Sequence, residues 1–296
     1  MGPRGMEQSQ GGGNVTTETR VSWEEAVRRL IADPQSAGLV RDSYYDAPLE
    51  RAAARYHESA EWHSVRRVIG HGPGAVLDVG AGNGIVSYAL ARDGWTVSAL
   101  EPDASELVGA GAIRDLARRT ATNIRVLENF GEQVSLPAQS FDLVIARQVV
   151  HHARDLDAFA REMARLLKPG GRFFSFRDHV ADDEAQRAHF FGEHPLHRLY
   201  GGENAYSEAR YRAALAHAGL QIVRQWGHFG AAFNYAPQTS RGIVRAVAGR
   251  LLPGPLAAAA ASLLSTSLLY PPLGSLLSRL YRHPGRHIAF LARKRS

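Results

Sequence analysis

The sequence predicts an α/β fold: a doubly wound, mostly parallel sheet of seven strands, with an apolar helical insertion near the C-terminal end. Three observations carry that prediction. Residues 76–79 form a short apolar run that leads into three alternate glycines, Gly80, Gly82 and Gly84, and then into a helical pattern over residues 85–91. That is the order strand, tight turn, helix of a nucleotide-binding unit. From residue 76 onward, short apolar strands alternate regularly with helical stretches, which implies crossover connections and a parallel sheet. A length of 296 residues with 45% apolar content suffices for one large domain of this kind.

Taken in order, residues 1–20 are rich in Gly, Ser, Gln and Thr and bury too little apolar surface to offset the entropy of ordering. They are expected to form a flexible leader, and residues 21–296 one domain. A short helix is expected over 23–31, stopped at Asp33-Pro34. Residues 44–69 read as helical, with Tyr45, Tyr56, His57 and Trp62 spread along them. Strands are expected at 76–79, 96–100, 124–127, 141–146 and 172–176. The helices between them fall at 85–91, 105–119 and 156–167, the last closed by Lys168-Pro169-Gly170-Gly171. After Arg177-Asp178-His179, residues 180–206 are rich in His, Phe and Tyr without a clean period, as suits a lid or a substrate wall. A helix at 211–218, a strand at 220–226 and a last, antiparallel strand at 286–292 complete the sheet.

Residues 236–285 separate those last two strands. Within them, residues 251–278 carry no charge, and Arg241, Arg245, Arg250, Arg279, Arg282 and Arg286 flank them. Pro253, Pro255, Pro271 and Pro272 interrupt the run. Its unbroken part, 256–270, spans ~22 Å as a helix, short of the ~30 Å core of a bilayer. An interfacial or pocket-lining helix is expected, not a membrane span.

The chain has no cysteine, which excludes disulfides, thiolate metal sites and cysteine nucleophiles together. No apolar segment of the secretory kind follows the N-terminus, so a cytoplasmic protein is expected. The formal charge of +6 is carried almost entirely by arginine. Such a balance suits nucleic acid, an anionic membrane or simply a solvated basic surface. His179, His189, His194 and His197 do not place three ligands on one helical face, so no metal is expected.

The glycine turn decides the cofactor. Asp78 precedes it, and Glu101 ends the second strand about 20 residues later, where a carboxylate can accept from both ribose hydroxyls. The sixth positions of a dinucleotide fingerprint would be Ile85 or Ser87, neither the small residue that fingerprint prefers. The pattern D-x-G-x-G-x-G followed by Glu101 resembles motif I of the class I S-adenosylmethionine (SAM)-dependent methyltransferases. The resemblance continues through Ser140-Phe141-Asp142-Leu143-Val144, Val150-His151-His152 and Arg165-Leu166-Leu167-Lys168-Pro169-Gly170-Gly171. It spans about residues 77–176 and looks most like the members that methylate small metabolites.

That resemblance implies a Rossmann-like fold and methyl transfer from SAM to a small organic acceptor, at oxygen by preference. It implies a cofactor site built from Asp78, Gly80, Ala81, Gly82, Glu101 and Pro102. Phe130, Gly131, Ala146 and an aromatic from the preceding helix, Tyr56, belong to the same implied site. Tyr45 or Tyr56 closes over the methionine end, or both merely pack their helix onto the sheet. Phe130-Gly131-Glu132 stands where many members carry Asp-Ala-Glu, so Phe130 is expected to stack on the adenine. His151 and His152 are the candidate bases for an acceptor hydroxyl, or one of them caps the following helix. Three alternatives stay open. A lipid-like acceptor would go with membrane contact through 251–278. A nucleic-acid methylase lacks its Asn/Asp-Pro-Pro-Tyr element here. A SAM-binding protein without catalysis is not excluded. The oligomeric state is left open.

Overall fold

The computed structural model describes residues 21–202 and 204–295. The leader expected at 1–20 lies outside the described residues. Seven strands form one sheet: β1 (Ala75–Val79), β2 (Thr96–Leu100), β3 (Ile124–Leu127), β4 (Phe141–Arg147), β5 (Leu167–Val180), β6 (Leu220–Trp226) and β7 (Arg286–Lys294). Their order is β3-β2-β1-β4-β5-β7-β6. The first five are parallel, and β7 runs antiparallel to both β5 and β6. Strand order reverses between β1 and β4, so the crevice beyond their carboxyl ends is where a ligand sits in a sheet of this kind.

Alternating side chains feed two cores. Phe173 points to one face, with Leu156, Phe159 and Met163 of the helix Leu156–Leu166 and with Tyr211. Phe174 and Phe176 point to the other and stack with ring centroids 5.1 Å apart. There they meet Tyr56, Trp62, Leu90 and Phe233. Burying such side chains on both faces is what period-two alternation achieves in a sheet covered by helices on both sides.

Several elements differ from the sequence expectation. Residues 44–69 form two helices, Leu49–His57 and Ala60–Ile69, because the Ser59 hydroxyl accepts from Trp62 N and starts a second helix. The helix expected from 105 starts only at Ala110–Thr120. Residues 103–109 instead fold as a turn in which Asp103 O accepts from Ala110 N. β5 begins at Leu167, before Lys168-Pro169-Gly170-Gly171 and not after it, and runs on to Val180, with a register shift against β4 between Phe141 and Leu143. The segment 180–206 holds two helices, Glu184–Glu193 and Pro195–Tyr200.

The insertion 236–285 is a lobe of three helices, Ser240–Ala248, Gly254–Leu264 and Tyr270–Leu280. Its own small core joins Ile243, Val244, Ala261 and Tyr270. The helix expected over 256–270 ends at Leu264, and the next begins at Tyr270. Pro255 and Pro271 sit in first turns, where a missing N–H costs nothing, so these prolines open helices instead of ending them. Among the described residues, no helix is long and apolar enough to cross a membrane.

Candidate functional site

β1 delivers Val79 to the turn, and Gly80 N and Ala81 N both donate to Leu100 O at 2.8 and 3.1 Å. The turn is thereby fastened to the end of β2. Gly80, Gly82 and Gly84 all have positive φ, which a side chain resists. Their reasons differ. A Cβ on Gly80 would lie 2.5 Å from Val149, a packing constraint. A Cβ on Gly82 would meet nothing nearer than Val108 O at 4.0 Å, so open space lies over that backbone. Gly84 begins the helix Ile85–Arg92, whose N-terminal N–H groups face the turn.

Two carboxylates flank this cradle. Glu101 accepts from Gly82 N at 2.7 Å and from Asp103 N at 2.9 Å, and burial pushes its carboxyl up to about 7. Asp78 is 1% exposed and accepts from the Ser87 hydroxyl at 2.6 Å. Burial, more than its Ser87 bond relieves, raises it to about 7 as well, and Glu101 adds to the rise. Two desolvated carboxylates in no ion pair, with only the charge of Arg147 easing Asp78, suit a ligand that brings positive charge and hydroxyl donors.

Phe130 is 63% exposed, with the Arg154 guanidinium 5.9 Å from its ring centroid. It thus offers an aromatic face beside the cradle. Gly131 is enclosed: a Cβ there would lie 2.6 Å from the Phe159 ring. Pro102 is exposed and Ala81 buried, both on the rim of the turn. The other two expected cofactor contacts are corrected. Tyr56 and Ala146 have no exposed surface. Tyr56 packs edge-on against Tyr44 at 5.1 Å, inside the core between its helix and the sheet. Ala146 is a small core residue of β4. Neither presents a face to a cofactor here.

His151 and His152 follow β4 on a 3₁₀ turn, Val150–His152. His151 is 1% exposed. Its backbone N and its Nδ1 both lie against Asp178 Oδ1, at 3.3 and 3.0 Å. With Nδ1–H donating to a carboxylate, the neutral ring carries its lone pair on Nε2. His152 is exposed, its ring lies tilted by 37° against that of His151 with centroids 4.2 Å apart, and its Nδ1 lies 3.2 Å from Gly202 O. The following helix is capped by Asp155, which accepts from Asp157 N and Ala158 N. No local sequence signal marks Asp178, which lies near the end of β5. Among the described residues no group of three or more His, Cys, Asp or Glu could hold a metal.

The topology and the glycine cradle define a nucleotide-cofactor-binding domain, and comparison with known proteins narrows it. Residues 77–175 match the family model described as "Methyltransferase domain". Over 187 residues the chain is 31% identical to the ubiquinone biosynthesis O-methyltransferase of Xanthomonas axonopodis pv. citri, covering 62% of this chain and 69% of that one. It is 27% identical over 158 residues to the enzyme of the same name from Agrobacterium fabrum, covering 52% of this chain. The chain spans 62% of that relative's length. Among solved structures, geranyl diphosphate C-methyltransferase from Streptomyces coelicolor A3(2), with S-adenosyl-L-homocysteine bound, superposes with a TM-score of 0.55 at 16% identity, covering 90% of this chain and 84% of that one. The YcgJ protein of Bacillus subtilis gives 0.51 at 18%, covering 80% and 98%. At these identities the structural likenesses concern the fold.

The chain belongs to the class I SAM-dependent methyltransferase family. The family's cofactor is SAM, and the residues present fit it. Open space lies over the Gly82 backbone, Glu101 is an acceptor-only carboxylate bonded to Gly82 N beside it, and Asp78 is a buried carboxylate at the end of β1.

Proposed function

We propose that the protein transfers the methyl group of SAM to an oxygen of a small organic acceptor. SAM supplies a methyl group already activated on a positive sulfur, so the protein's task is placement, exclusion of water and removal of the acceptor's proton. Asp78, Gly82 and Glu101 hold the cofactor at the ends of β1 and β2. The observation that carries the reading is the pairing of His151 with Asp178 at the ends of β4 and β5, adjoining that cradle. Asp178 holds the ring so that Nε2 is the basic nitrogen, and it stabilises the imidazolium once a hydroxyl proton arrives. His152, exposed and tilted against His151, is the cover the acceptor displaces or contacts. The O-methyltransferase relatives favour oxygen as the acceptor atom.

The test is formation of S-adenosylhomocysteine from SAM with catechol as a simple hydroxyl acceptor. His151→Gln is expected to lower turnover by about 10²-fold or more, the usual share of a general base, while SAM affinity stays near the wild-type value. Asp178→Asn should act in the same direction. Absence of SAM binding in calorimetry defeats the reading, and an unaltered pH–rate profile in His151→Gln removes the base.

A second observation favours a membrane-surface setting for this chemistry. Of the large apolar residues exposed on the described residues, eight are leucines of the lobe, among them Leu251 at 79%, Leu268 at 82% and Leu280 at 71%. Arg241, Arg245, Arg250, Arg279 and Arg282 are exposed around them, and no Asp or Glu follows Glu208 in the sequence. An apolar patch rimmed by arginine and free of acids is what an anionic lipid surface attracts. On this reading the lobe rests on the bilayer interface and the acceptor is lipid-like.

A further inference from the structure

Behind the catalytic pair lies a cluster of charge that the proposed mechanism does not use. Glu61 is 2% exposed on the helix Ala60–Ile69. Its Oε1 accepts from Arg147 Nε at 2.6 Å, and its Oε2 from Arg147 Nη2 at 3.3 Å and from Arg177 Nη1 at 3.2 Å. Two guanidiniums therefore share one carboxylate. Their side chains are 14% and 12% exposed. Arg177 Nη1 also donates to Ala236 O at 2.7 Å, while its Nε is buried without a partner. Among the described residues, neither Arg147 Nη1 nor Arg177 Nη2 bonds a protein group.

The place matters as much as the count. Arg147 ends β4 and Arg177 lies near the end of β5, both at the carboxyl edge of the sheet where ligands sit. Arg177 immediately precedes Asp178, the partner of His151. On the other side Arg147 lies over the Tyr56 ring at 5.6 Å, and Tyr56 packs on Tyr44. Tyr44 O in turn accepts from Asn83 Nδ2 of the glycine turn at 2.9 Å. The cluster thus spans the gap between cradle and base. Neighbouring imidazoles stay neutral and take up none of the surplus: burial, with Arg177 adding, pushes His228 down to about 4 and His287 well below its usual value.

We propose that Arg147 and Arg177, set on Glu61, form the seat for a ligand carboxylate that lies between the cofactor cradle and His151. The proposal rests on the methyl-transfer reading of the cleft and names the chemistry of its unassigned end. A planar carboxylate matches the remaining amino groups of two guanidiniums, and a buried cation pair bonded to a single carboxylate is completed by a second. That carboxylate has two sources: the amino-acid end of the cofactor, or an acid group on the acceptor.

Binding by the full-length chain separates them. The probes are S-adenosylhomocysteine against 5′-methylthioadenosine, which lacks the amino-acid end, and 3,4-dihydroxybenzoate against catechol. Calorimetry with and without S-adenosylhomocysteine reads each dissociation constant for wild type, Arg177→Met and Arg177→Lys. A cofactor seat predicts at least tenfold weaker S-adenosylhomocysteine binding in Arg177→Met, with 5′-methylthioadenosine unchanged. An acceptor seat predicts the same loss for 3,4-dihydroxybenzoate, with catechol unchanged. Arg177→Lys keeps the charge without the fork, and should retain part of the discrimination and report it if the Met variant does not fold. The seat is overturned if the wild type prefers neither carboxylate-bearing probe, or if the variants weaken charged and uncharged probes alike. A wild type that prefers 3,4-dihydroxybenzoate but binds neither adenosine ligand keeps the seat and loses the methyl-transfer reading instead.

Discussion

At the scale of single residues the cradle makes three separable demands. Glu101→Ala removes charge-assisted acceptors for ribose and should weaken SAM binding by about 1.5–3 kcal/mol, read by calorimetry. Phe130→Ala removes an exposed ring and should raise the SAM dissociation constant without changing the melting temperature; unchanged affinity would make Phe130 a surface residue only. The third demand is electrostatic. Asp78 and Glu101, ordinarily near 3.8 and 4.5, are raised to about 7 by burial. A raised carboxyl contributes stability below its ordinary value and loses it as pH climbs through about 7. The protein without ligand should therefore lose stability over that climb. A cationic cofactor favours the ionised carboxylates, so SAM binding should tighten from about pH 5.5 to 8 and release protons, since the upward shifts reverse when a cation arrives. Calorimetry in two buffers of different ionisation enthalpy measures the release.

At the scale of elements, Asp93 fastens the helices Leu49–His57 and Ala60–Ile69 to the C-terminal end of the helix Ile85–Arg92. Its Oδ1 lies 2.9 Å from His57 Nε2, and its Oδ2 accepts from Trp62 Nε1 at 2.9 Å and Arg66 Nε at 2.8 Å. Asp93→Ala strands three donors and should cost about 3 kcal/mol in urea unfolding, given the usual penalty for unpaired buried groups. Elements were legible in the sequence where their signals are local: the glycine turn, the β strands, and the Trp23–Ala32 helix with its Asp33 stop. Misreadings came where one residue overrides a continuing pattern. Ser59 restarts a helix whose apolar period runs on unbroken. Pro271 opens a helix where a proline after an apolar run suggests an end. The pairings that make the site were not legible. Asp178 with His151, and Glu61 with Arg147 and Arg177, join residues 27, 86 and 116 apart in the chain, and no local pattern encodes such distances.

At the scale of the whole molecule the lobe carries most of the large apolar side chains exposed among the described residues. Its leucines lie outside both cores of the sheet, so their exposure is a property of the molecule's surface and not of any one helix. Co-sedimentation with phosphatidylglycerol and with phosphatidylcholine vesicles should show binding that requires the anionic lipid and weakens with salt, as each arginine near such a surface contributes about 1 kcal/mol. Leu251→Ser with Leu268→Ser should lower that binding without altering SAM affinity. A protein that stays in the supernatant in every condition leaves the lobe as an interface of another kind and removes the main support for a lipid-like acceptor.

Gly131 and Phe159 have a consequence for how the sequence can drift. The ring of Phe159 fills the space a side chain at 131 would take, at 2.6 Å, so the two positions share one fixed volume. Gly131→Ala alone must push the helix Leu156–Leu166 away from the loop beside Phe130. Joined to Phe159→Leu, the same change becomes tolerable. Substitutions at the two sites should therefore be epistatic: each harmful alone, the pair nearly neutral in melting temperature. A lineage that trades volume from the helix to the loop keeps the fold while reshaping the surface beside Phe130.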